Sequence, residues 1–172
     1  LAAQQTITAT AVVIGGVKHV TSQNMHFGEL DPTVASPANR VVDLLSVTPN
    51  TTTGNAGTLD YRVNRDGTQF SFAMPGSLSS TSSAATLSVA SWECGMEMGA
   101  SASSVTDPGA TGDLDAYDNG GTCGTTMTVD LSAVSGARLV RLYVGGTILA
   151  TAYEVAPAET FEGDITVTVV VP

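Results

Sequence analysis

The chain has 172 residues, a formal net charge of −10, 42% hydrophobic residues and only 13% charged ones. That length suits one domain with a core of its own, and that apolar share excludes a disordered chain. Six cations against sixteen acids disfavour nucleic acid and anionic membrane surfaces as partners, and no apolar run approaches the roughly 20 residues of a membrane-spanning helix.

Apolar spacing at three and four residues is nowhere sustained, whereas short alternating runs recur between turn residues. An all-β chain of about eight strands with no helix is therefore expected. It opens on QQTITATAVVIGG (residues 4–16), where Ile7, Ala9, Ala11 and Val13 fall on one face of a strand and threonines separate the first three. Gly15 and Gly16 permit a bend or a close backbone approach. Residues 17–30 read as a second extended segment ended by Asp31-Pro32, and RVVDLLSV (40–47) as a third. Residues 58–74 predict a hairpin: Leu59, Tyr61 and Val63 alternate in one arm, Phe70 and Phe72 in the other, with Asp66-Gly67 in the turn. GSLSSTSSAA (76–85) reads as a polar loop, and residues 85–94 as a strand carrying Leu87, Val89 and Trp92. Residues 95–124, rich in Gly, Ser and Asp, predict a long irregular stretch. Strand patterning resumes at 125–131. Residues 137–155 predict two paired runs that bend at Gly145-Gly146, and EGDITVTVVVP (162–172) closes the chain with Ile165, Val167, Val169 and Val171 on one face. The architecture expected is an immunoglobulin-like β-sandwich, with no internal repeat.

Cys94 and Cys123 predict a disulfide; the alternative is two free thiols. Neither belongs to a zinc-like pair. Closing a loop of that size stabilises a fold by roughly 3.5 kcal/mol in the chain-entropy model. The opening residues lack the basic-then-apolar pattern of a signal peptide, so the chain reads as a mature exported product. No cofactor is expected. The one ion candidate is DLDAYDNGG (113–121), where Asp113, Asp115, Asp118 and Asn119 supply hard oxygens for calcium without matching the EF-hand spacing; the plain alternative is a solvated turn loop. His19 and His26, seven apart, point to opposite faces of a strand and argue against joint catalysis. There is no Gly-x-Ser-x-Gly elbow, so no enzyme is expected. Trp92 is expected to pack on the disulfide in the core, the alternative being a sugar-stacking ring. Asn50-Thr51-Thr52 fits a glycosylation sequon, and Lys18, the only lysine, reads as an ordinary surface residue.

The opening TITATAVVIGGVKHV resembles the N-terminal extension of bacterial chaperone–usher pilins, nearest to the class 5 type. MHFGELDP (25–32), GGTI (145–148) and FEGDITVTV (161–169) resemble segments of a related family of secreted bacterial immunoglobulin-like proteins. The resemblance implies a donor strand at residues 1–16 and an incomplete pilin domain at 17–172, which lacks one strand that a neighbour supplies. It implies that Ile7, Ala9, Ala11, Val13 and Gly15 enter a groove lined by Phe27, Ile165, Val167 and Val169. The partners implied are identical subunits in a head-to-tail filament, with a periplasmic chaperone and an outer-membrane usher during export. The implied function is a secreted, cell-surface fimbrial subunit serving adhesion or biofilm. The alternative is a self-complemented secreted β-sandwich that binds carbohydrate or protein.

Overall fold

The computed structural model describes residues 3–12, 15–99, 121–124, 126–131 and 139–172. The described chain is all-β, in several antiparallel sheets. The largest has six strands: β1 (Val17–Gln23), β2 (Arg40–Val42), β3 (Gly57–Val63), β7 (Ser91–Gly99), β8 (Gly121–Thr122) and β10 (Leu139–Ile148). Its order is β1-β3-β10-β7-β8, and β2 continues the row of β3 along the far end of β10. Two three-stranded sheets face it. One holds β4 (Gln69–Ala73), β9 (Met127–Thr128) and β12 (Thr166–Val170); the other holds β5 (Ser77–Ser80), β6 (Thr86–Ser88) and β11 (Phe161–Glu162). Only residues 74–76 separate β4 from β5, and only 163–165 separate β11 from β12, so the two small sheets run on from each other.

Alternation along the strands supplies the core. Val63 from β3, Val140, Leu142 and Val144 from β10, and Met96 from β7 meet Phe70 and Phe72 from β4 in one buried cluster. Ile165, Val167 and Val169 pack on it from the last strand. A second cluster at the other end joins Leu78, Leu87, Ile148 and Tyr153 with Phe27, Trp92 and Phe161 against it. Cys94 and Cys123 are disulfide-bonded across a sequence separation of 29 and buried in the first cluster. Such a bond points to an oxidising environment, extracellular or periplasmic. Among the described residues no helix is long and apolar enough to cross a membrane.

Several local expectations are corrected. The turn at 64–67 is present, with Gly67 at φ +78°, but its arms do not pair. β3 pairs with β1 and β10, whereas β4 pairs with β12 and β9. Both arms carry large apolar faces, and these bury best against each other across the core, as Tyr61 does on Phe70 with ring centroids 5.1 Å apart. The turn therefore carries the chain between layers, and Val129 takes its hydrogen bonds, accepting from Gly67 N at 2.9 Å and donating to Thr68 O at 2.8 Å. The serine-rich 76–85 stretch contains β5, because Leu78 alone gives it a buried face. Residues 95–99 continue β7, with Met96 and Glu97 buried. Gly145-Gly146 makes no bend. Both lie inside the ten-residue β10, where a Cβ on Gly145 would stand 2.3 Å from Val42 O and one on Gly146 2.8 Å from Ser91 O. Glycine there answers a close approach of neighbouring backbone. A four-residue helix, α1 (Ala150–Tyr153), follows.

The outer face of the large sheet carries a polar set in which Asp60, Glu97 and Tyr143 are buried and Arg141 is half-buried. Arg141 donates from Nε and Nη2 to the two Asp60 oxygens at 2.7 and 2.9 Å, and Tyr143 Oη donates to Glu97 Oε2 at 2.6 Å. Burial, reinforced by the Glu97 carboxylate, pushes the Tyr143 hydroxyl far above its ordinary range, so it stays a donor. Leu44 packs over this tyrosine.

Candidate functional site: a groove between two unpaired edges

β1 is bonded only to β3 and β12 only to β4 among the described residues, so each presents a free edge. At one end these edges close. The place a Gly16 Cβ would occupy is 3.3 Å from Val171 Cγ1, and Gly16 is tied to Asn64 through Gly16 N to Oδ1 at 2.7 Å and Asn64 N to Gly16 O at 3.1 Å. At the other end they part, leaving a groove of about 1050 Å³ between residues 22–30 and residues 156–165. Leu59, Leu78, Leu87, Trp92, Val144 and Ile148 line it from within. An apolar floor under two lengths of backbone is suited to an extended chain with alternating apolar side chains.

Each wall is built by local chemistry. His26 forms an isolated bridge with Asn55, and Gly28 then turns the chain at φ +83°. Gly28 N donates to His26 Nδ1 at 2.7 Å, and Glu29 N to Thr52 O at 2.8 Å. That turn carries Phe27, whose ring lies 5.7 Å from Trp92, and the indole N–H of Trp92 is fixed on Pro75 O at 2.8 Å. The aromatic partner of Trp92 is thus Phe27, which the sequence reading did not pair with it. On the opposite wall Glu159 accepts from the hydroxyls of Ser80 and Ser83, which hold its carboxyl below the usual carboxylate range. Glu29, Glu159, Glu162 and Asp164 line the groove, and among the described residues no lysine or arginine does.

The expected site residues fall in different places. Phe27 and Ile165 line the groove. Val167 and Val169 pack on the main core instead, along the continuation of the same strand toward the closed end. Ile7, Ala9 and Ala11 lie in a segment, residues 3–12, that is exposed throughout and belongs to no strand, with Ile7 93% and Val12 84% exposed. No hydrogen bond joins that segment to the rest of the described chain. An alternating run without a neighbour has no ladder to enter, and a lone strand is not stable in water. Gly15 is exposed, with open space where its Cβ would be. Val13 and the calcium candidates Asp113, Asp115, Asp118 and Asn119 lie outside the described residues. Among the described residues no group of His, Cys, Asp and Glu side chains could hold a metal ion. The two histidines have separate partners: His19 stacks edge-on against Tyr61 at 5.3 Å, and His26 serves its own turn.

The sequence reading missed Trp92, Phe161, Leu78 and Leu87 as groove residues. The single leucine of Ser-Leu-Ser (Leu78) is too short a signal for alternation, the strand pattern of Leu87 and Trp92 does not say which surface they line, and the pairing that brings Phe161 to Ser80 is not local.

No family model, no curated protein and no solved structure matches the chain.

Proposed function

We propose that the chain is a structural subunit of an extracellular filament, an immunoglobulin-like β-sandwich lacking one strand, whose groove takes the leading segment of the next copy. The observation that carries this reading is the pairing of two incomplete features in one molecule. Residues 3–12 alternate like a buried strand yet touch no strand, and a groove with an apolar floor lies between two edges that lack one. Pairing the two would satisfy both edges, which otherwise invite aggregation. Backbone bonds then contribute near 1 kcal/mol each, and a buried isoleucine such as Ile7 about 2 kcal/mol.

The geometry favours exchange between copies over self-insertion. The leading segment departs at Gly16, where Val171 already fills the space between the two edges. To enter its own groove it would have to reverse direction next to the Gly16–Val171 contact and run back along β1. The groove lies past the Gln23 end of β1, between residues 22–30 and 156–165; in this reading a neighbour's segment enters it there while the acceptor's own segment leaves at the Gly16 end. Contacts of this head-to-tail kind do not close and generate an open fibre.

In this reading the chain performs no catalysis, and its setting is the cell surface, in a fimbria serving adhesion or biofilm. Resemblance to chaperone–usher pilins adds a periplasmic chaperone and an outer-membrane usher as transient partners during export. The tilted Phe27–Trp92 pair at the acidic groove favours a second reading, a self-complemented module that stacks a sugar there.

Deleting residues 1–13 separates the two. The filament subunit then stays folded and runs as a single chain, whereas the untreated protein forms ladders that resist mild detergent. A protein that is monomeric with or without the segment fits the module and sinks the filament.

A further inference from the structure

The wall that carries Phe27 has little secondary structure of its own. β1 ends at Gln23, and beyond the His26 bridge the chain is a turn over Gly28. Arg40, the first residue of β2, reaches across to it. Its Nη1 donates to Phe27 O at 2.8 Å and to Thr52 O at 3.2 Å, and its Nη2 donates to Glu29 O at 3.1 Å. A guanidinium usually spends its planar fork on a carboxylate or phosphate. The ion pair among the described residues is Arg141 with Asp60, and Arg40 instead serves three main-chain oxygens from two loops. The fit is close: a Cβ on Gly28 would stand 2.3 Å from Arg40 Nη1 and 2.4 Å from Thr52 O. A side chain at position 28 would therefore displace the guanidinium, and the left-handed φ there already favours glycine.

We propose that Arg40 is a positioning residue for the groove, a clip that fixes the turn from Phe27 to Glu29 so that Phe27 and Trp92 stand as a preformed pocket for the incoming strand of a second copy. This rests on the filament reading above. A preformed wall spares the complex the ordering of three residues and an aromatic side chain, and such ordering weakens binding. The fork geometry is the working feature: one planar group spans three carbonyls, which an ammonium cannot do.

The test uses the full chain with Ile7→Asp present throughout, so that its own leading segment does not compete, and a synthetic peptide of residues 3–16 as the probe. Trp92 is the only tryptophan, so its emission reports the pocket directly. Arg40→Met is expected to weaken peptide binding by about tenfold or more, to red-shift Trp92 emission in the free protein, and to be partly rescued by millimolar guanidinium. Arg40→Lys, which keeps the charge without the fork, is expected to lose nearly as much affinity; it carries the test if the methionine variant does not fold. Wild-type affinity and unchanged Trp92 emission in a folded Arg40 variant would overturn the clip. Failure of the peptide to bind the parent protein would overturn the filament reading itself, and the clip with it.

Discussion

Residues 6–11 and 165–169 are written alike. Ile7, Ala9 and Ala11 alternate with threonines, and so do Ile165, Val167 and Val169. The second run lies on β4, with Val167 opposite Phe72 and Val169 opposite Phe70, and its apolar side chains are half-buried. The first run lies on nothing. Alternation thus specifies a face and leaves the partner open. The last strand meets β4 and the core within its own chain, whereas residues 3–12 pair with no strand among the described residues.

The sharpest way to break this comparison is to place the same charge in both runs. Val167→Asp puts a carboxylate against the main core, and a loss of about 3 kcal/mol or more is expected in denaturant unfolding. Ile7→Asp should leave that unfolding curve within about 0.5 kcal/mol of the parent while abolishing assembly seen by electron microscopy. A large stability loss from Ile7→Asp would mean that the segment is part of its own fold.

Breaking the Cys94–Cys123 bond comes next. It lies in the core on which the last strand rests, so removing it should lower stability by roughly 3.5 kcal/mol without changing the exposure of the leading segment to proteases. Two glycines then sharpen the contrast between the body and its extension. Gly145→Ala forces a Cβ against Val42 O and is expected to cost about 2 kcal/mol, whereas Gly15→Ala meets open space and should leave the melting temperature of the isolated chain unchanged.

The smallest effect concerns pH at the groove wall. Ser80 and Ser83 lower the pKa of Glu159, so its contribution is complete above the ordinary carboxylate pKa and is lost as pH falls through the lowered folded value. The melting temperature of Glu159→Gln should lie slightly below that of the parent at about pH 6 and converge with it in acid near pH 2. A gap that persists in acid would assign the difference to packing.

Much of the fold class was legible because alternation and turn residues are local signals. Leu59 to Val63, Phe70 with Phe72, and Ile165 to Val169 all read as strands from their alternation alone. The partners were not legible. The Asp66-Gly67 turn looks the same whether its arms pair or cross between layers, and the sizes of Val63, Phe70 and Phe72 decide for crossing only once a facing sheet exists. Gly145-Gly146 has the same ambiguity, since two glycines serve a bend or a close approach, and Val42 and Ser91 come from far along the chain. Within the groove, Phe27 and Ile165 could be named from resemblance, whereas Arg40 announces itself only through carbonyls that the turn at Gly28 presents.

The central claim is that one molecule's leading segment occupies another's groove. A photoreactive residue at position 7, in a mixture of isotopically light and heavy chains, tests it most directly. The account predicts crosslinks from position 7 to residues 22–30 or 156–165, with half of them joining a light chain to a heavy one in an equal mixture. Crosslinks confined to single chains, or none to those residues, would contradict it.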